Sequence, residues 1–215
     1  MNNEFSHLDA LRGRLLAAAL PRAGFEGWTD AMLAKAEADA GLPPGTRSLA
    51  CPAGVVDLLD FWGRECDSGA AGSLAGLDLP GLKIRQRVRA GVLARLDAIG
   101  SANREAARRA AARLALPDVA ARGARILWRA ADCIWRAIGD TSTDGNHYSK
   151  RAILSGVFAS TFTVWLDGDR AATEAFLDRR IENVMAFEKL KARARKARAT
   201  LPDPLGALAR LRFGR

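Results

Sequence analysis

Two apolar segments with a helical period, separated by one polar run, limit this chain more than any other feature. In the second segment Leu154, Val157, Phe158, Thr161, Phe162 and Trp165 follow the spacing i, i+3, i+4, i+7, i+8, i+11, which matches one face of an α-helix. In the first, Val119–Ile138, the residues Ile126, Leu127, Ala130, Cys133, Ile134, Ala137 and Ile138 cover a broad apolar face, with Trp128 and Trp135 one heptad apart on its flank. Faces this wide need further helices to cover them. The chain is rich in Ala, Leu and Arg, has one Tyr and lacks β-branched runs, so an all-α fold is expected.

The polar run is Gly139 to Arg151. Asp140, Ser142, Asp144 and Gly145 imitate the opening of a calcium-binding EF-hand loop, but the place of its final bidentate Glu is taken by Arg151, which excludes calcium. The remaining reading is a turn. Asp144 or Asn146 caps a helix beginning near Tyr148, and Asp140 with Ser142 closes the helix before it by local side-chain to backbone bonds.

Earlier in the chain, Leu11, Leu15, Leu16 and Ala19 predict a first helix ending near Pro21 and Gly24. Thr29 caps a second, Asp30–Ala40, and Gly41 to Thr46 turns into a short third. A fourth begins near Ala53, with a loop expected over Gly69–Gly81. A basic helix, Leu82–Ile99, carries a stripe of Ile84, Val88, Val92 and Leu96, with Lys83, Arg85, Arg87, Arg89 and Arg95 mostly on its other faces. Ala102–Leu116 is another helix, and a last core helix from about Thr173 carries Phe176, Leu177, Ile181, Val184 and Met185.

The stretch from Arg14 to Trp62 has the helix, Gly-bearing turn, helix order of a helix-turn-helix and resembles the N-terminal domain of TetR-type regulators, including Gly41, Pro44, Gly45 and Thr46 leading into the recognition helix. Its chemistry argues against nucleic acid. The net charge of +9 is uneven: residues 1–80 hold six Lys/Arg against eleven Asp/Glu (−5), 81–140 thirteen against five (+8), 141–187 five against six (−1) and 188–215 nine against two (+7). The helix after Gly45 offers Arg47 alone as a cation, and the whole segment would repel a duplex.

Cys51, Cys66 and Cys133 lack CxxC spacing and read as small buried residues in a reducing compartment. His7 and His147 have no partner spacing for a metal or a nucleophile relay, and no GxSxG, HExxH, Walker or GxGxxG motif occurs, so no catalytic residue and no metal ligand is assigned. No apolar stretch reaches the ~20 residues of a membrane span. The end of the chain differs. Lys189–Arg198 reads as a basic linker or frayed helix, and Asp203 with Pro204 starts a short helix in which Leu205, Leu208, Leu211 and Phe213 share space with Arg210, Arg212 and Arg215. That pattern suits an interfacial helix on anionic lipid.

The block Gly139-Asp140 through Asp144, then Asn146, Tyr148, Lys150 and Arg151, closely resembles the pattern G-D-x-S-T-D-x-N-x-Y-x-[KR]-R of the accessory family of ubiquinone (coenzyme Q) biosynthesis, the lipid-binding Coq-nine family. The likeness extends from the N-terminal helices to about Phe187. It implies a TetR-like helical bundle without DNA-binding function, with a helix-turn-helix-like part at 1–66, a ligand and dimerisation part at 82–188, a basic linker at 189–202 and an amphipathic membrane-contact helix at 203–215. It also implies a non-enzymatic homodimer without a cofactor, peripheral on the inner (cytoplasmic) membrane, which binds an isoprenoid quinone or another lipid such as a phospholipid and presents it to a di-iron hydroxylase.

By that resemblance Asp144, His147, Tyr148 and Arg151 meet the hydroxylase. The family commonly has Trp where this chain has His147, which buries less apolar area at an interface. Periodicity then assigns the pocket lining to Leu127, Ile134, Ile138, Leu154, Phe158, Phe162, Trp165, Leu177, Ile181 and Met185, a wide uncharged face. A ligand-responsive regulator of the TetR type is the alternative.

Overall fold

The computed structural model describes residues 2–143 and 145–199. Asp144 and the tail residues Leu205, Leu208, Arg210, Leu211, Arg212 and Phe213 lie outside the described residues. Within them the chain is helical throughout: α1 (Asn2–Glu26), α2 (Asp30–Asp39), α3 (Thr46–Ala50), α4 (Val55–Ala75), α5 (Ile84–Asp97), a single 3-10 turn (Ser101–Asn103), α6 (Arg104–Leu114), α7 (Ala120–Ala137), α8 (Gly145–Trp165) and α9 (Arg170–Ala199). Two compact units divide the chain, Met1–Leu177 and Asp178–Arg215. Lys189–Arg198, expected as a linker or frayed helix, is part of α9.

α1 runs straight through Pro21 to Glu26, past the expected stop. A proline inside a helix removes one backbone bond and costs about 3 kcal/mol. Here the buried stripe Leu15, Leu16, Ala19 and Ala23 outweighs that cost, and Arg22 ties the turn after Pro21 to Glu26 and to Asp39 of α2. α2 starts as read: the Thr29 hydroxyl accepts from the Met32 amide at 3.1 Å. Trp28 fastens this region to α6 by donating its indole N–H to the Ala106 carbonyl at 2.9 Å.

α3 has five residues, and its cation is neutralised. The Arg47 amide donates to Glu37 at 2.7 Å, and the guanidinium faces the same carboxylate at 3.6 Å. The expected loop at Gly69–Gly81 begins later, because α4 continues to Ala75 to bury Ala70 and Leu74. Leu74 packs with Leu79 and Ile138 in a small core cluster.

α5 departs from its expected pattern at two positions. Ile84 is 47% exposed at the first turn, and Arg95 faces inward, 5% exposed, between α4 and the cavity described below. A guanidinium goes to a core position when a carboxylate waits there, and Asp67 does so at 2.6 Å.

The α6–α7 corner depends on a close approach at Gly123. A Cβ there would lie 2.7 Å from the Leu114 carbonyl oxygen and 3.2 Å from its Cβ. On an exposed helix Gly→Ala gains about 1 kcal/mol. At this corner Gly123→Ala is expected to lose about 2 kcal/mol by overpacking, seen as a lower melting temperature by circular dichroism. An unchanged or higher value would contradict the packing described.

Candidate functional site

Two features share the α7–α8 hairpin: a polar clamp at its closed end and an apolar cavity farther along. Gly139 makes the hairpin possible. Its φ of 89° stops α7, with the Gly139 amide bonding Arg136 and the Asp140 amide bonding Trp135 across the end of the helix. The chain then returns as α8, which sets Lys150 and Arg151 beside Asp132 and Trp135 of α7.

Arg151 is the centre of the clamp. Its side chain is 2% exposed, Nε donates to Asp132 at 2.5 Å, and Nη1 reaches both Asp140 and the His147 carbonyl at 3.2 Å. Lys150 donates to Asp140 at 2.6 Å and to the Ser142 hydroxyl at 3.0 Å, while that hydroxyl lies 2.7 Å from both Asp140 oxygens. The expected Asp140 and Ser142 caps are thus a cross-helix ion cluster. The backbone closure comes from Gly139.

Burial by itself would push the Asp140 carboxyl up, but hydrogen bonds from Lys150, Ser142 and Arg151 outweigh it and hold it at about 2, below its ordinary 3.8. Because the folded value lies below the unfolded one, this stabilisation is complete above the unfolded value and is lost as pH falls through about 2.

Of the residues expected to meet a partner, Arg151 is withdrawn from the surface by this clamp. It is a positioning residue. His147 is half-buried, with Nδ1 donating to the Ser142 carbonyl at 3.0 Å. Tyr148 is 66% exposed, and its ring lies 6.3 Å from that of the exposed Trp128 of α7. Trp128 was not among the partner residues read in the sequence, although its heptad relation to Trp135 placed it on the flank.

The cavity has a volume of about 410 Å³, within the usual range of small-molecule sites. α4 supplies Leu59, Trp62, Gly63 and Cys66; α5 and the residues after it supply Arg95 and Ile99. α6 and its end give Ala107, Ala110, Ala111, Leu114 and Ala115; α7 gives Gly123, Ile126 and Leu127; α8 and its end give Phe158, Ala159, Phe162, Thr163 and Leu166. Burial pushes the Cys66 thiol up, so this lining cysteine is held as the neutral thiol.

Leu127, Phe158 and Phe162 of the expected lining face this cavity. Ile134, Ile138, Leu154 and Trp165 are buried in the core instead, and so is Leu177. Ile134 fills the space left by Gly91 of α5, and Trp165 stacks on Phe162 with the Arg104 guanidinium 5.1 Å from its ring. Ile181 and Met185 belong to the second unit, and Met185 is 39% exposed. The walls from α4, α5 and α6 were missed. The alanines of α6 carried a signal, since small side chains facing large ones leave space.

Among the described residues no group of three His, Cys, Asp or Glu could hold a metal ion, and no helix is long and apolar enough to cross a membrane.

Residues 120–188, which contain α7, the polar run and α8, match the family model described as COQ9. The chain is 24% identical over 190 residues to the probable ubiquinone biosynthesis protein coq9, mitochondrial, of Dictyostelium discoideum, covering 84% of this chain and 62% of that protein. It is 32% identical over 103 residues to ubiquinone biosynthesis protein COQ9-A, mitochondrial, of Xenopus laevis, covering 46% and 32%. To ubiquinone biosynthesis protein COQ9, mitochondrial, of Rattus norvegicus it is 36% identical over 80 residues, covering 36% and 26%. The chain thus spans less than two thirds of each relative. The resemblance read in the polar run is borne out.

Replacing Asp140 by Asn is expected to cost about 3 kcal/mol at neutral pH, because Arg151 keeps Asp132 but loses a buried counter-charge. Chemical denaturation at a series of pH values measures it. The gap between the two proteins should close between pH 4 and pH 2, and a gap constant across that window would contradict the clamp.

Proposed function

We propose that this chain is a non-catalytic accessory protein of ubiquinone biosynthesis that holds an isoprenoid quinone intermediate in its apolar cavity and presents it to a di-iron hydroxylase at a membrane. The observation that carries this reading is the cavity itself, walled by the α7–α8 segment that matches the COQ9 family. A volume of about 410 Å³ suits a head group with the first part of its tail, and an apolar lining favours a molecule that water excludes.

The exposed Trp128–Tyr148 pair supports the docking part of the proposal. Aromatic side chains with a polar tip are frequent interface anchors, and this pair stands on the same hairpin as the cavity. In this reading Trp128, on α7, takes the part of the tryptophan that the family commonly has at the position of His147. The membrane part rests on the sequence of the tail, where Leu205, Leu208, Leu211 and Phe213 share a short stretch with Arg210, Arg212 and Arg215 behind a strongly basic one. The chain acts peripherally, on the cytoplasmic face of the inner membrane, as a homodimer. A regulator that reads DNA is disfavoured by α3, whose single arginine is already paired with Glu37.

Purified protein is expected to carry an isoprenoid quinone precursor, identified by mass spectrometry of an organic extract. Repeated preparations that yield no bound lipid would count against the reading. Removal of residues 203–215 should reduce co-sedimentation with anionic liposomes about tenfold without changing the helical circular dichroism signal. Unaltered sedimentation would remove the tail from the membrane contact.

A further inference from the structure

The apolar cavity has one polar feature that the fold leaves incomplete. Arg95 is a lining residue and 5% exposed. Its Nε donates to Asp67 at 2.6 Å and its Nη2 to the Gly63 carbonyl at 3.3 Å. Its Cζ lies 5.8 Å from the ring centre of Phe158, another lining residue, within cation–π range. Its Nη1 is buried and has no hydrogen-bond partner among the described residues. Orphaned buried donors are rare in native proteins, and each needs a reason.

We propose that Arg95 is the head-group donor of the cavity, with Nη1 hydrogen-bonding a neutral acceptor oxygen, a carbonyl or an ether, on an otherwise apolar ligand. This rests on the lipid-binding reading above and adds to it which end of the molecule enters and what that end must carry. The guanidinium is fixed by Asp67, Gly63 and Phe158 before any ligand arrives, so binding orders nothing at the donor.

Charge balance selects neutral ligands over anions. Arg95 and Asp67 already balance one another as the buried pair, while the more exposed Arg129 bonds Asp67 at 2.9 Å and shares Asp60 with the solvated Arg64, both at 2.6 Å. A carboxylate or phosphate brought to Nη1 would be an extra buried negative charge without its own counter-ion. A neutral oxygen completes the donor and leaves the balance intact. Other polar atoms in the lining do not compete. The Thr163 hydroxyl donates to Ser160 and the Cys66 thiol to Ala98.

Three probes of similar size test the proposal on the full chain freed of lipid: hexyl phenyl ketone, heptylbenzene and para-heptylbenzoate. Quenching of tryptophan fluorescence reports binding, since Trp62 lines the cavity. The ketone is expected to bind about tenfold tighter than heptylbenzene, and the benzoate more weakly than the ketone. Arg95→Lys keeps a cation for Asp67, whose other bond to Arg129 remains, but cannot present the second N–H group. It should erase the preference for the ketone over heptylbenzene, both measured on the same variant.

Equal affinity for ketone and hydrocarbon in the native protein would overturn the role of Arg95 and leave the lipid cavity standing. So would a ketone preference that survives Arg95→Lys. Tightest binding of the benzoate would overturn the neutral class. Failure of all three probes to bind would overturn the cavity reading and this proposal together. The native-protein comparison decides the matter even if the variant does not fold.

Discussion

Asp67 holds together the part of this molecule on which everything else depends. Its carboxylate, on α4, accepts from Arg95 of α5 and Arg129 of α7, and its backbone carbonyl accepts from the Cys133 thiol of α7 at 3.3 Å. Three helices therefore meet at one buried residue through directional bonds. Burial lowers the Arg129 pKa, and Asp60 with Asp67 outweighs it to raise the value, so the guanidinium is charged at any working pH. Buried ion pairs contribute little net stability compared with apolar packing, but losing one partner is strongly destabilising. They are suited to fixing helix positions beside a space that side chains do not fill, and Arg95, bound to Asp67, lines the cavity.

A second buried guanidinium holds the two features of the hairpin apart and in register. Arg151, clamped by Asp132 and Asp140, secures the α7–α8 pairing near the turn. Phe158, the first lining residue of α8, comes seven residues later, roughly 10 Å along the helix axis. The exposed Trp128–Tyr148 pair and the α7 and α8 walls of the cavity thus lie on one hairpin. In the proposed function that hairpin joins the surface which meets a partner to the site which holds what is passed on.

Much of the fold was legible because helical period and capping chemistry act locally. The apolar spacing from Leu154 to Trp165 found α8, Thr29 found the start of α2, and the polar run showed the family resemblance. The misreadings come from interactions between elements. Pro21 marks a helix end only when nothing outweighs it, and the burial of Leu15 to Ala23 does so. The pattern of α5 puts Arg95 off the buried stripe, yet it faces inward, because its carboxylate lies 28 positions away on another helix. Periodicity identified which faces are apolar but could not separate a filled core from an empty one. Ile134 and Leu154 face neighbours that fill the space, whereas Phe158 and Phe162 face the alanines of α6 and leave it open.

In the proposed function this open space is what the protein uses. Ala159, on α8 between Phe158 and Phe162 of the lining, can be replaced by Trp to fill it from one wall, at a residue that is not itself a member of the Asp67 network or the Arg151 clamp. The decisive measurement is the ubiquinone content of cells in which Ala159→Trp replaces the native chain, together with the melting temperature of the purified variant. A several-fold fall in ubiquinone with the melting temperature preserved is expected. A folded variant with its cavity filled and normal ubiquinone content would contradict the proposed function.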